Sequence, residues 1–371
     1  VKSNSQFWKK TFNARHDFKD GFTADLNDWQ VRFGKILGVT VEPVGILQVL
    51  PAPSEAEVKA PKGSTKTRPT PTDQTPWGIE AVYNSDNLAK TSGGEGIKVA
   101  VVDTGVTVGH PDLKSRIAKC KDFTSLRFPV VNGKCEDKNG HGTHVAGIIA
   151  ADGGADGLGI YGMAPEAVLY ILKTCSTNGT CYADDVAAAI KNAADEGANV
   201  ANLSIGSDRL SPLIEEAINY AVSKGVLVVA AAGNDGPYTE SIDYPGAMKD
   251  VVAVGAFDSN LKIADWSSRG INSQTTPLVI EDKDLELAAP GVSIESTWNN
   301  GGYAVLSGTS MASPFVAGLA AKFWADFLLE QEPAKAVREF LHKLAVDIDQ
   351  PGEDNSSGLG FARLPLVAPQ P

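Results

Sequence analysis

The sequence predicts an α/β chain, with a doubly wound, mostly parallel sheet as its main body and a small α+β domain at its N-terminal end. Three observations carry that expectation. From Gln74 onward, apolar runs alternate with segments of helical character as far as Phe327. The apolar runs are short and continuous, with no polar face, as strands covered on both sides of a parallel sheet must be. Ahead of them, residues 51–75 are dense in Pro, Lys, Thr and Ser with almost no apolar periodicity, which reads as a linker. The chain is accordingly divided into an N-terminal domain over residues 1–53, a linker over 54–73 and a main domain over 74–371.

Within the N-terminal domain, residues 21–43 read as strand, helix and strand, with Asn27 or Asp28 as the helix N-cap and Gly38 as its stop. Residues 1–16 show no opening strand. After the linker, residues 99–103 form a buried strand that delivers the Asp103 carboxylate at its end, followed by Gly105. His141 opens a helix of small residues that runs through His144 and Gly147. Residues 168–174 read as a strand and 182–196 as a helix, joined by a turn at Asn178 and Gly179. Another buried strand starts at Val226 and ends in Gly233 and Asn234. Gly308, Thr309 and Ser310 then place a serine between a glycine turn and a last helix. Pro314 fits the first turn of that helix, and Ala317, Gly318, Ala320 and Ala321 allow close packing on a sheet.

The chemistry follows from three side chains. A serine hydroxyl is a poor nucleophile until a base takes its proton, and an imidazole serves as that base when a carboxylate fixes its tautomer and stabilises its cation. Ser310, His141 and Asp103 supply these roles, with Ser310 at the positive end of its helix, where developing negative charge is favoured. The segments around Asp103, His141 and Ser310, in that order along the chain, resemble the motifs of subtilisin-like serine proteases. A hydrolase of the Gly-x-Ser-x-Gly type is excluded, because the residue two after Ser310 is Ala312 and the acid comes first. Asn234 resembles the family's oxyanion donor, acting with the Ser310 backbone N–H. His144 is read as structural.

The resemblance implies a secreted endopeptidase that acts on polypeptides and is made as an autoprocessed zymogen, with its processing site in the 54–73 linker. Residues 1–53 resemble the C-terminal part of such a family's propeptide, which acts as folding template and product-like inhibitor. They carry seven Lys or Arg and five Asp or Glu, so the rest of the chain is strongly acidic and docking is favoured. Ser204, Ile205 and Gly206 resemble the edge that pairs with an extended substrate, and Ala231, Ala232 and Gly233 would line the pocket for the residue before the cut. Asp243 would lie near that pocket's floor, selecting a basic side chain or carrying a solvated or calcium-linked charge. Calcium is the expected cofactor: Asp112 matches a family ligand, and the loop holding Asp152 and Asp156 stands where the partner loop would be. Insertions relative to the family are expected around residues 118–136 and 271–287, the latter as surface excursions.

A hydrophobic content of 43% is ordinary for a globular protein, and a net charge of −12 argues against nucleic acid as a partner. No apolar run approaches a membrane span. A monomer is expected. Three pairings of the four cysteines are possible, and loop closure favours Cys120 with Cys135 and Cys175 with Cys181, as disulfides of an extracellular protein. The competing class is a catalytically silent binding protein of the same fold, which would lack a triad residue; none is missing here.

Overall fold

The computed structural model describes residues 1–50 and 67–366, so the expected linker falls largely outside the described residues. At the N-terminal end, helices Gln6–Phe12 and Asp28–Ile36 flank a minimal hairpin of β1 (Asp17–Phe18) and β2 (Gly21–Phe22). Phe12, Phe22 and Val39 are buried between them, with Trp8 stacked on Phe12. Asn27 is the N-cap of the second helix, in a reciprocal capping box with Gln30. Residues 41–43 do not form the expected closing strand. The extended segment lies further on, as β3 (Ile46–Val49), because its backbone groups find their partners on the main domain rather than within this small one.

The main domain opens with β4 (Thr67–Arg68) and the helix Trp77–Tyr83 and continues through β5 (Lys98–Asp103), β6 (Ile117–Asp122) and β7 (Val131–Asn132). The helix His141–Ala150 leads to β8 (Val168–Lys173), β9 (Thr180–Tyr182) and the helix Ala183–Asp195. Next come β10 (Val200–Leu203), β11 (Ile205–Gly206), the helix Pro212–Ser223, β12 (Leu227–Ala231) and β13 (Val251–Phe257). β14 (Leu287–Pro290), β15 (Ile294–Thr297) and β16 (Tyr303–Leu306) precede the helix Thr309–Phe323, and the helix Pro333–Leu344 leads into β17 (Ala345–Val346) and β18 (Phe361–Ala362).

Ten of these strands form one sheet in the order β17-β18-β14-β13-β12-β10-β5-β8-β6-β7. Every pair from β18 to β6 is parallel, and only the outermost pairs are antiparallel. Alternate residues of β5 enter opposite cores: Val99 and Val101 pack with the helices His141–Ala150 and Thr309–Phe323, while Ala100 and Val102 pack with Ala183–Asp195 and Pro212–Ser223. From β5 the chain builds outward in both directions, which leaves a crevice beyond the carboxyl ends of β5 and β10. Residues 118–136 build part of the sheet edge, since β6 and β7 extend it and Cys120 is bonded to Cys135.

Candidate active site

Asp103 ends β5 and His141 begins its helix, so the crevice receives a carboxylate from one side and an imidazole from the other. The His141 Nδ1 lies 2.8 and 2.9 Å from the two Asp103 oxygens, and both side chains are buried. The turn before His141 is wound around a second buried acid, Asp137. It accepts hydrogen bonds from the backbone N–H groups of Asn139, Gly140 and Thr143 and from the hydroxyls of Thr104 and Thr143. Gly140 holds φ +113°, and a side chain there would strike the Trp298 ring at 2.4 Å. His144, on the same helix, donates from Nε2 to the backbone carbonyls of Ile294 and Ala304. Burial, then the nearby His141, pushes its pKa down to about 3, which makes it a neutral structural group.

Ser310 sits in the first turn of the helix Thr309–Phe323. Its hydroxyl donates to the Ser204 carbonyl at 3.0 Å, while the His141 Nε2 is buried with no hydrogen-bond partner. The Ser310 hydroxyl and the His141 imidazole are therefore not hydrogen-bonded to each other in this arrangement. The Ser204 side chain is spent beneath the helix, on the Ser310 carbonyl and the Ser313 hydroxyl. Asn234 is fixed from behind. Its Oδ1 accepts from the Thr309 N–H at 3.0 Å and the Thr309 hydroxyl at 3.1 Å, so its amide N–H₂ is aimed into the crevice.

That crevice holds the chain's own N-terminal region. β3 lies antiparallel to β11 on one side, with Val49 opposite Ile205 and Gln48 opposite Gly206, and antiparallel to β9 on the other. Asn234 Nδ2 donates to the Leu50 carbonyl at 2.8 Å. The second wall, β9, belongs to the loop closed by the Cys175–Cys181 disulfide. Ala231, Ala232 and Gly233 are buried, and Asp243 is buried beside the notch left by Gly206 and Gly233, with Leu50 reaching the Gly206 side of it.

Away from the crevice, Asp112 Oδ2 accepts from the Ile160 N–H and the Tyr303 hydroxyl, while its Oδ1 is buried without a partner. Burial raises the Asp112 pKa. The 152–160 loop wraps that oxygen so closely that a side chain at Gly159 would approach it to 2.1 Å and one at Gly154 to 3.0 Å, the latter also 3.4 Å from Asp156 Oδ1. The Gln74 amide bridges the Gly157 and Gly159 carbonyls nearby. Asp152 does not join them. Its carboxylate is held by Arg116 at 3.0 Å, by the Ser115 hydroxyl and by the Gly154 N–H, which leaves it committed to a different partner set.

A third polar centre joins the N-terminal segment to the helix Ala183–Asp195. Arg15 pairs with Asp185 at 2.6 Å and faces Asp184 at 3.6 Å, and His16 Nε2 lies 3.0 Å from the same Asp185 oxygen, all four side chains being buried. The two acids occupy the first turn of the helix Ala183–Asp195, where its dipole favours negative charge. Neither this centre nor Asp137, Thr309 and Leu50 was singled out from sequence. Asp137 did carry a signal, since an Asp followed by Asn139 and Gly140 is the composition of a turn built on a side-chain acceptor.

A profile of the subtilase family matches residues 94–360. A subtilisin of Bacillus sp. (strain TA39) is 43% identical across 95% of this chain and 86% of its own length. Subtilisin Savinase of Lederbergia lenta is 42% identical across 66% of this chain and 82% of its own length. Among solved structures, the S41 psychrophilic protease is 46% identical with a TM-score of 0.75, covering 79% of this chain and 99% of that one. Sphericase is 47% identical with a TM-score of 0.76, covering 80% of this chain and 100% of its own.

Proposed function

The chain belongs to the subtilase family and is a serine endopeptidase, and on that premise we propose that it cuts polypeptides through Asp103, His141 and Ser310 and is made as a zymogen that processes itself. The observation that carries the reading is the Leu50 carbonyl on the Asn234 amide, at the end of a strand already paired with β11. In the proposed reaction His141 takes the Ser310 proton as Oγ attacks the carbonyl carbon, and Asp103 holds the resulting imidazolium. Asn234 and the Ser310 N–H carry the negative charge that moves onto oxygen. The protonated His141 then delivers its proton to the departing amine, and water repeats the sequence to free the acid.

The same contact favours the bond after Leu50 as the processing bond, in place of one in the 54–73 linker, which would make residues 1–50 the propeptide, three residues shorter than the sequence suggests. Solved relatives that match about four fifths of this chain over nearly all of their own length support a separate N-terminal unit. We read the enzyme as extracellular, in keeping with its two disulfides. Among the described residues, no helix is long and apolar enough to cross a membrane.

Calcium completes the reading. A buried carboxylate oxygen without a partner, inside a glycine-rich loop of carbonyls, suits a hard cation that takes oxygen ligands. Asp112, with carbonyls of the 152–160 loop and Asp156, would hold it, and the ion would tie that loop to the sheet.

The test is the full chain and its Ser310→Ala variant, purified alike and followed by mass. The native chain is expected to yield a fragment ending at Leu50 and to take a serine-directed fluorophosphonate label, while the variant stays whole and unlabelled. Equal processing in the variant refutes self-cleavage, and a cut within residues 54–73 refutes the assignment of Leu50.

A further inference from the structure

The pocket that receives Leu50 has an acidic floor. Asp243, after the 235–242 loop, meets Asp208 from the turn after β11 and Asp235 from the turn after β12, one carboxylate oxygen of each lying within 4.8 Å of the other two. Asp208 and Asp235 are exposed, whereas Asp243 is only 4% exposed. The missing side chains of Gly206 and Gly233 make the opening. A Cβ at Gly206 would fall 2.6 Å from Asp243 Oδ2 and 2.8 Å from Leu50 Cδ1, and one at Gly233 would fall 2.9 Å from the same Asp243 oxygen. Leu50 and the acid thus share one notch. The identity of that notch as the pocket for the residue before the cut comes from a separate observation, the Leu50 carbonyl bonded to Asn234.

We propose that this floor makes the enzyme select polypeptides with Lys or Arg before the scissile bond, and that the chain's own Leu50 is a mismatched occupant of a cation pocket. The inference rests on the serine-protease reading of the crevice. A Lys or Arg stem enters the notch that Leu50 enters and carries its charge on to the carboxylates. A leucine enters the notch and leaves three acids facing one another. Carboxyls this close cannot all ionise at little cost.

Protonation follows from the same geometry. Burial, then Asp235, then Asp208 push the Asp243 carboxyl up to about 7. Asp235 is itself raised by burial and by Asp208. Of the other charges around this loop, Glu240 is paired to Lys283, and Arg209, next to Asp208 in sequence, lines the cavity against the N-terminal region. An apolar side chain in the pocket therefore favours the protonated acid. A cationic one favours the ionised acid, so its advantage must grow as pH rises through neutrality.

The experiment uses the full chain after maturation, with active sites counted by fluorophosphonate, and two peptide anilides that differ only in Lys or Leu before the cut. The Lys-to-Leu ratio of kcat/KM is expected to exceed one at pH 8 and to rise on the order of tenfold from pH 6, as one charge-assisted contact forms. Asp243→Asn should flatten that rise, and Asp208→Asn should reduce it if the first variant folds poorly. A ratio at or below one at every pH, with the Leu peptide cleaved, overturns the proposal while leaving the protease reading intact. Failure to cleave either peptide together with failure to label overturns both.

Discussion

Removing one guanidinium should release the N-terminal domain from the crevice. Arg15 is 8% exposed and its partner Asp185 is 2% exposed, so their ion pair is buried, and Arg15 also donates to the Phe123 carbonyl at 3.1 Å. In an Arg15→Ala variant the docked state would keep Asp185 buried with only His16 against it and would leave Asp184 with no cation. Breaking a buried pair from one side costs about 3–5 kcal/mol. Once the domain departs, the acids regain water, so the loss falls on docking and not on the folding of the main domain. At about 1.4 kcal/mol per power of ten, docking should weaken by roughly two to four orders of magnitude. The assay is dilution of the self-processed complex, with hydrolysis of a peptide substrate reporting the free enzyme. Arg15→Lys, which keeps the charge and loses the fork, should fall between the two. Equal dissociation of the native and Arg15→Ala complexes would refute the claim that this buried pair holds the domain.

Two further outcomes follow from other buried acids. Calcium should raise the melting temperature of the inactive Ser310→Ala chain, by about 2.7 kcal/mol of stability at a hundredfold excess over Kd, and Asp112→Ala should remove most of that response; indifference to both chelator and calcium would dismiss the site. Glu286 is fully buried, yet Arg338, at 2.7 and 2.5 Å, and His342 hold its pKa below the ordinary Glu value against the opposing effect of burial. Its contribution is therefore present above the unfolded Glu range and lost as pH falls through the folded value, so Arg338→Met should lower stability at pH 7 by about 3–5 kcal/mol and move acid unfolding to higher pH, as read by circular dichroism.

Local sequence was sufficient wherever a residue's role is fixed by its own strand or helix. Asp103 at the end of an apolar run, His141 and Ser310 at helix starts and Asn234 after a glycine all lie where their motifs put them, because a parallel sheet carries such termini to one edge. The short disulfides were legible for a similar reason, loop closure being a local cost. What failed depended on a distant partner. Residues 41–43 have the composition of a strand, but strand pairing went to 46–49, where β9 and β11 offered two open edges. Asp152 looked like one of several loop carboxylates, and nothing in its neighbourhood reveals that Arg116 would claim it. The acidic floor drew on three separate turns, of which the sequence distinguished only Asp243.

On the proposed reading, these contacts would let one segment be cut once and inhibit afterwards. Pairing of β3 with β9 and β11 that is kept through cleavage would lower the energy of every state equally and would not help the chemical step. Only the groups at the carbonyl can discriminate: Asn234, the Ser310 N–H and His141. In the structure the Ser310 hydroxyl is turned onto Ser204 while the Leu50 carbonyl stays on Asn234, an arrangement that holds the segment with the nucleophile disengaged. A product ending at Leu50 would keep every strand contact and the oxyanion contact as well, so cleavage alone gives it no reason to leave. Release must instead come from a change in what anchors the domain behind it, the Arg15 and His16 contacts to Asp184 and Asp185, or from competition by a substrate whose side chain satisfies Asp243 as Leu50 cannot.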